Sequence, residues 1–348
     1  MKRDLLTASR MGALLRCQRM HYWRYEVGLK PIRHSHALRF GSAWHVAMEC
    51  RWQGMDYEAA MSEAVAQADS FEPLDVATLA AMLAGYYAYY AGDRECVKTL
   101  HPEQEFHFDL PGSRTFAVAG KIDGLGVTFR DEQCLVEHKT TSEDVAPDSS
   151  YWNVLRFNSQ IYQYVGAARA HQWNPTAIIY DVTRKPTIRP LSNVPTLDDA
   201  GLKIVMGADG QRVIKKDGTP KQTADKEKGE VLQGAPENAD QFGARLMADI
   251  QTRPDFYFAR REVPILDADI EEFETQRLEL SRQILMHRAA QRKAKRPEHA
   301  WARNCGKMTC GNCDFESFCM QNISVDPAQP PVGFEIGDRF AELSQVGQ

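Results

Sequence analysis

The sequence predicts an α/β protein with a mixed central sheet, and three observations lead to that class. Alanine-rich segments with helical periodicity occupy residues 56–70 and 74–91. Strand-like runs separated by turn residues follow between about 103 and 139. A helical segment over 152–171 and a further strand, AIIYDVTRKP, come next. This order is typical of helices packed against one sheet.

Two helices are expected before these segments. The first runs from Ser9 to about Leu29, includes a following turn, and carries Cys17 and the aromatic-basic stretch HYWRYEVGL. The second begins at Ser42 as its N-cap, so that His45 falls in its first turn. Near the other end, an amphipathic helix over 267–295 leads into a group of cysteines.

The bulk properties are those of a soluble globular protein. The chain has 348 residues, of which 43% are hydrophobic and 26% charged, and its formal net charge is −5. That charge gives no global signature of nucleic-acid binding, although a local basic groove is compatible with it. No signal-peptide core is present, and no segment approaches the roughly 20 apolar residues of a membrane span. We therefore expect a cytoplasmic protein that does not bind membranes.

One segment interrupts the α/β pattern. Residues 207–240 are polar, glycine-bearing and rich in charge, which predicts a flexible insertion. Its lysines are expected to be solvated rather than to contact a polyanion.

The stretch LVEHKTTS at 135–142 combines a buried strand with charged residues. Glu137 and Lys139 project to one side of such a strand and His138 to the other. An isolated E-x-K pattern more often marks an exposed ion pair, which contributes little to stability. Asp123, in GKIDGLG, lies fourteen residues before Glu137, and a hairpin would bring the two carboxylates together.

Paired carboxylates suit hard divalent cations such as Mg²⁺ or Mn²⁺. A metal held in this way activates water for attack on a phosphodiester. Lys139 would then position the water, help to deprotonate it, or stabilise the charge that develops on the phosphate. Gln160 and Tyr164 are spaced i, i+4 on one helix face. Taken singly, His45 is more often a packing histidine, and the Gln160/Tyr164 pair merely exposed.

The order H…D…E-x-K…Q-x-x-x-Y resembles the RecB-like branch of the PD-(D/E)XK nucleases. The resemblance runs through GSAWH, GKID, VEHKTT and QIYQY, over about residues 40–165. It implies a restriction-endonuclease-like core within residues 1–300, with a mixed central sheet flanked by helices. By resemblance, the metal ligands are His45, Asp123, Glu137 and the backbone carbonyl of His138, and Glu105 is a further candidate. The resemblance also implies that Lys139 serves the attacking water. Gln160 and Tyr164 would contact DNA or brace the site.

The cysteines fall into two groups. Cys50, Cys96 and Cys134 stand singly and are expected to be packing residues. A second set combines Cys17 with the C-terminal spacing Cys310-x₂-Cys313-x₅-Cys319. A zinc ribbon uses two C-x₂-C pairs, which are absent, although a Cys₄ zinc site stays open. Four thiolates also hold [4Fe–4S] clusters. Cys305 is either a bystander or a substitute ligand.

This second set looks like the iron–sulfur staple of the AddB-, Cas4- and Dna2-type nucleases. The resemblance implies that residues 301–325 form a cluster-binding segment, completed by Cys17 on the N-terminal helix. The staple would clamp the chain ends around the nuclease core, and the cluster would add to the stability of the fold. Residues 326–348 are expected to be a C-terminal tail.

Basic and aromatic side chains are the candidates for DNA contact. The candidates for phosphate binding are Arg16, Arg19, Arg24, Arg184, Lys185, Arg260 and Arg261. The aromatics between them, which could stack on unpaired bases, are Tyr22, Trp23, Tyr25 and Phe258.

No phosphate-binding G-x-x-x-x-G-K-[ST] motif is present, which argues against a fused helicase. The expectation is a stand-alone, phage-type or Cas4-like DNA exonuclease. It would use Mg²⁺ or Mn²⁺ and a [4Fe–4S] cluster to act on DNA ends or single strands in recombination, repair or DNA degradation. A recombinase or helicase is a potential protein partner, and the oligomeric state is open. The alternatives are an inactive iron–sulfur DNA-binding subunit and a structural zinc protein.

Overall fold

The computed structural model of the protein describes residues 3–33, 35–68, 70–341 and 343. Within them the strands are β1 (Asp4–Leu6), β2 (Leu29–Pro31), β3 (Val97–Asp109), β4 (Phe116–Thr128), β5 (Gln133–Thr141), β6 (Ala177–Arg184), β7 (Val194–Pro195), β8 (Val205–Met206), β9 (Val231–Leu232), β10 (Gly234–Ala235), β11 (Phe258–Pro264) and β12 (Phe334–Ile336). The α-helices are α1 (Ala8–Arg16), α2 (Gln18–His21), α3 (His36–Trp52), α4 (Tyr57–Gln67), α5 (Pro73–Tyr89), α6 (Tyr151–Arg156), α7 (Ser159–Ala170), α8 (Ala239–Thr252), α9 (Pro254–Tyr257), α10 (Asp267–Gln291), α11 (Lys307–Cys310) and α12 (Glu316–Met320).

A six-stranded mixed sheet organises the structure around β4. β3 runs antiparallel along almost the whole of β4. β1 pairs in parallel with one end of β4, at Phe116–Val118, and β5 pairs antiparallel with the other, at Gly124–Val127. β6 continues the sheet in parallel with β5, and β11 closes it antiparallel to β6. The predicted fold class, a mixed central sheet flanked by helices, is confirmed.

The two faces of the sheet carry different helices. On β5 and β6, Leu135 and Ile178 pack into the main core, which is shared with α1, α7 and α10. The alternate residues Val136 and Ile179 point to the opposite face and pack towards Trp52 at the end of α3. A second core of α3, α4, α5 and α8 lies on that side. Residues from both helical layers can therefore reach one edge of the sheet.

Several helices differ from the sequence-based expectation at their ends. α3 begins at His36 and not near Ser42, because Ser35 is the N-cap and accepts a hydrogen bond from the backbone N–H of Leu38. His45 consequently lies in the third turn of α3. The expected first helix is divided: α1 ends at Arg16, Cys17 is extended, and α2 continues into a π-helix over Tyr22–Val27.

The segment expected to be one helix over 152–171 is also divided, into α6 and α7. Asn158 interrupts it, because its side chain accepts the backbone N–H of Gln160 and caps α7. The short strand β1 and the edge strand β11 were not predicted. β11 arises from FARREVP, whose charged residues obscure the period-two pattern.

The insertion and the tail contain regular structure in the described residues. β8 pairs with β9 across the insertion, and β7 pairs with β10 beside it. β12, in the tail, pairs antiparallel with β2 near the N-terminus. Residues 342 and 344–348 of the tail lie outside the described residues. The flexibility of the insertion and the domain boundaries stay predictions.

No helix within the described residues is long and apolar enough to cross a membrane.

A buried arginine links the N-terminal elements to α10. Arg10 is fully buried and donates to the carbonyl of Leu5 at 2.6 Å. It also lies 2.9 Å from carboxylate oxygens of both Asp4 and Glu26. Arg288 of α10 binds the same two carboxylates. This network joins β1, α1, the π-helix and α10. Removing Arg10 would leave each carboxylate with Arg288 alone and the buried carbonyl of Leu5 without its donor.

Replacing Arg10 with methionine should therefore lower the free energy of unfolding by about 1–3 kcal/mol, because a buried carbonyl loses its donor. Arg282→Met is the matched control on α10, because Arg282 is exposed and its ion pair in the described part of the chain is with Glu279, one helical turn away. Its effect should stay within about 0.5 kcal/mol. Urea unfolding followed by circular dichroism measures both, and coincident curves for the two variants would contradict the structural role of Arg10.

Candidate active site

Three carboxylates lie in one row across the sheet. The pairing of β3 with β4 places Glu103 opposite Asp123. The ladder between β4 and β5 ends at the pair Gly124–Val136, so Asp123 and Glu137 are the first residues beyond it. The hairpin expected to bring Asp123 and Glu137 together is therefore present. The two strands stop pairing at the point where their acidic residues face each other.

The end of this ladder has a local physical cause. The backbone N–H of His138 donates to the Asp123 carboxylate at 2.9 Å, and so is lost to the strand ladder. β3 packs so closely against β4 beside Asp123 that a Cβ at Gly124 would lie only 2.7 Å from the side chain of Leu100. Gly124 thus permits the close approach of β3. Asp123 is buried there, and its carboxylate accepts the backbone N–H of His138.

His45 joins the row from α3. Its Nδ1 lies 3.6 Å from Oδ2 of Asp123. Among the described residues, His45, Glu103 and Asp123 form the one group whose three metal-type ligand atoms all lie within 4.8 Å of one another. Glu103 was not singled out from the sequence; Glu105, two residues along β3, was named and is not in the group. Only the register of β3 against β4 distinguishes the two glutamates.

The carboxylates lie in surroundings that disfavour negative charge. Burial raises the pKa of Glu103 to about 7, against the opposing effect of the Lys121 ammonium. Burial also raises the pKa of Asp123. The pKa of Glu137 rises through burial and then through the adjacent charge of Asp123. A divalent cation would relieve both the repulsion and the desolvation.

Lys139 forms the other half of the site. Its Nζ contacts the Glu137 carboxylate and donates to Oε1 of Gln160 at 2.9 Å. Nε2 of Gln160 in turn donates to the hydroxyl oxygen of Tyr164 at 2.7 Å. Although burial opposes its charge, Glu137 and then Asp123 raise the pKa of Lys139 above its ordinary value. The structure thus joins the four residues expected from E-x-K and Q-x-x-x-Y, and Lys139 is held as a cation.

The side chain of His138 points to the opposite face, as alternation predicts. Its Nδ1 lies 3.1 Å from Oδ2 of Asp181 on β6. Asp181 also accepts from the hydroxyl of Tyr86 and lies 3.3 Å from Nε of Arg260. Arg260 continues to Glu95. Arg260 is therefore committed to a buried network, and its expected availability for phosphate binding is wrong.

The expected base-stacking aromatics are also buried. Tyr22, Trp23, Tyr25 and Phe258 are at most 7% exposed, and all pack in the interior. They cannot stack on bases, and the expectation is wrong for all four. The first three pack near the C-terminal segment; Trp23, for example, contacts the ring of Phe318. The pattern that suggested a nucleic-acid surface is instead a tertiary contact.

Two of the N-terminal arginines take part in the contact between the N-terminal helices and the C-terminal segment. Arg16 donates to the backbone carbonyls of Met308, Thr309 and Asn312 in the cysteine-bearing segment. Arg19 is buried and donates to the carbonyl of Trp301 at 3.0 Å. Arg24, in contrast, lines a cavity of about 380 Å³ between the π-helix, α3 and the C-terminal segment.

The remaining basic candidates contact residues that are distant in the sequence. Arg184 is largely buried and pairs with Asp144 at 2.8 Å. Lys185 and Arg261 donate to backbone carbonyls of Ala37 and Pro147, respectively.

The structure brings the second cysteine set together. Cys17, Cys310, Cys313 and Cys319 line one cavity of about 140 Å³, and Cys305 also borders it. Both a Cys₄ zinc site and a [4Fe–4S] cluster use four thiolates, so this cavity brings together enough cysteines for either centre.

Two arginines, Arg303 and Arg19, lie near the thiol of Cys319. The guanidinium groups of Arg303 and Arg19 oppose the effect of burial, which raises the pKa of the Cys319 thiol. The backbone N–H of Asn304 donates to Sγ of Cys17 at 3.4 Å. Cationic side chains and N–H···S hydrogen bonds are the contacts that stabilise metal-bound thiolates.

Comparison with known proteins identifies the superfamily of the chain. No curated protein matches the chain. One similar solved structure is titled "Crystal structure of SSO0001"; at 10% identity it covers 72% of this chain and 77% of its own, with a TM-score of 0.22, which is too low to carry an argument. The family model of the PD-(D/E)XK nuclease superfamily matches residues 5–320, which include the acidic row and the cysteine cavity. The chain belongs to the PD-(D/E)XK nuclease superfamily.

Proposed function

We propose that the protein is a divalent-metal-dependent deoxyribonuclease that hydrolyses phosphodiester bonds from DNA ends. The observation that carries the proposal is the row of buried carboxylates at the opening between β4 and β5, with a histidine on one side and a charged lysine on the other. The superfamily supports a metal-dependent nuclease. Action on DNA ends or single strands follows from the RecB-like order of the motifs.

The donor set fits a hard divalent cation. His45, Glu103 and Asp123 would hold it, with Glu137 beside them. The Oε2 atom of Glu137 is buried and accepts no hydrogen bond, which is an unfavourable state that a bound cation would remedy. The backbone carbonyl of His138 stays the further ligand implied by the resemblance. When bound, Mg²⁺ or Mn²⁺ supplies an activated water and neutralises charge on the phosphate.

Lys139 has one role that its surroundings favour over the others. Burial disfavours its charge, but Glu137 and Asp123 raise its pKa and favour the protonated form. As a positioned ammonium it stabilises the negative charge that develops on the phosphate oxygens. Gln160 fixes the direction of the ammonium, and Tyr164 fixes Gln160. Both helix residues thereby brace the site.

The two glutamates of β3 provide a matched test of the metal site. Glu103→Gln should slow the degradation of end-labelled linear DNA in Mg²⁺ or Mn²⁺ by about 100-fold or more, because it removes a ligand at the reacting centre. Glu105→Gln should stay within about twofold of the wild type, because Glu105 is outside the ligand group. Thermal unfolding confirms that both variants fold.

The reverse ranking of the two variants would contradict the assignment of Glu103. If the wild type binds DNA but cuts neither single- nor double-stranded ends in either metal, the protein is an inactive DNA-binding subunit and the proposed activity is wrong.

We also propose that Cys17, Cys310, Cys313 and Cys319 hold a [4Fe–4S] cluster, as in the iron–sulfur nucleases that the chain resembles. The convergence of all four cysteines on one cavity of about 140 Å³ supports this. The cluster would join α1 to the C-terminal segment and stabilise that contact. Recombination, repair or DNA degradation, with a recombinase or helicase as partner, would be the setting.

Protein purified without oxygen should be brown, absorb broadly near about 400 nm and contain about four iron atoms per chain. Cys313→Ser should lose the colour and the iron. Cys96→Ser is the control, because Cys96 lies beside Arg260 and away from the cavity, and it should keep both. A colourless wild type with one zinc ion per chain would contradict the cluster.

A further inference from the structure

Two apolar side chains project into solvent at the end of α6. Val154 is 71% exposed and Phe157, directly after the helix, is 69% exposed. Residues three positions apart share one side of a helix, so the two form a small continuous apolar surface. Isolated exposed apolar residues are common in proteins. This pair differs because of where it lies and what holds it.

The pair lies at the rim of the active site. Phe157 is three residues from Gln160, whose side chain accepts a hydrogen bond from Lys139. Three residues span at most about 11 Å, even when fully extended. Asn158, between them, caps α7 by accepting the backbone N–H of Gln160 at 3.0 Å. Phe157 is thus held next to the helix that braces the catalytic lysine.

Hydrogen bonds fix the position of α6 on the neighbouring elements. The carbonyl of Leu155 accepts from the hydroxyl of Tyr180 at 2.6 Å, and Tyr180 is the β6 neighbour of Glu137. The carbonyl of Arg156 accepts from Tyr162 on α7 at 2.8 Å. Trp152 is buried and donates its indole N–H to the carbonyl of Ala146 at 2.9 Å. The exposed pair therefore sits on a fixed support.

A cation completes this surface. The guanidinium of Arg156 lies 5.6 Å from the ring centre of Phe157, which is the geometry of a cation–π contact. Arg156 is exposed and forms no ion pair with a carboxylate within the described residues. An aromatic ring for a base, with an adjacent cation for a phosphate, is the combination that binds single-stranded nucleic acids.

We propose that Phe157, with Val154 and Arg156, forms a stacking platform for an unpaired base of the substrate strand beside the bond that is cut. The inference rests on the proposed function and deepens it. Bases inside a duplex stack on each other, so only a single strand or a frayed end can place a base on Phe157. The platform makes an unpaired strand the preferred substrate of this site.

Phe157→Ala tests the platform, and Phe129→Ala is its matched control. Phe129 is 63% exposed but lies in the turn after β4, six strand residues or about 20 Å from Asp123.

Binding is measured by fluorescence anisotropy, once with a labelled oligothymidylate and once with a blunt duplex. Ca²⁺ replaces Mg²⁺ to prevent cleavage. Phe157→Ala should weaken single-strand binding by about 5- to 150-fold, the range for losing one stacked base. Binding of the duplex should change by less than about twofold, as should both affinities of Phe129→Ala.

A series of oligothymidylates with one abasic nucleotide adds a readout that a structural defect would not mimic. At one position of the series, the wild type and Phe157→Ala should bind equally, because the base that would stack is missing. The platform is overturned if Phe157→Ala binds the single strand like the wild type, if it weakens duplex binding equally, or if no abasic position removes the difference. A wild type that binds no DNA would overturn the proposed function as well, whereas the other outcomes concern the platform alone.

Discussion

The hydrogen bond from the backbone of His138 to Asp123 is the interaction on which the site depends. It takes the N–H that would continue the ladder between β4 and β5 and directs it to a buried carboxylate. The strands stop pairing there, and Glu137 faces Asp123 across the opening. A buried opening with converging carboxylates is unfavourable without a cation, because burial raises the pKa of these groups. The favourable packing of the large sheet and of the two helical cores offsets this unfavourable free energy.

The site draws on both helical layers of the fold. His45 comes from α3 on one face, whereas Gln160 and Tyr164 come from α7 on the other. The N-terminal elements are held to the later part of the chain separately, by the buried Arg10 network and by contacts of α2 and the π-helix with the C-terminal segment. The cysteine cavity lies where the N-terminal helices meet the C-terminal segment, away from the acidic row.

Local patterns were enough to predict the strands that carry Asp123 and Glu137, because strand alternation and turn residues are read over a few positions. Glu103 could not be chosen over Glu105 in this way, because the choice depends on the register between β3 and β4, and Glu103 itself has a positive φ of 54°. The aromatic residues near Cys17 were misassigned to DNA binding, because their burial depends on a contact with residues almost 300 positions away. Phe157 was missed for the converse reason: its exposure beside the site is visible only once α6 is placed on β6.

The most direct test of the account is the position of a bound metal. Crystals of the full chain grown with Mn²⁺, measured at a wavelength where manganese scatters anomalously, locate the ion without assuming its ligands. We expect an anomalous peak in contact with His45, Glu103 and Asp123, next to the carboxylate of Glu137. Manganese bound only elsewhere, with these side chains unchanged and no peak between β3, β4 and α3, would contradict the account.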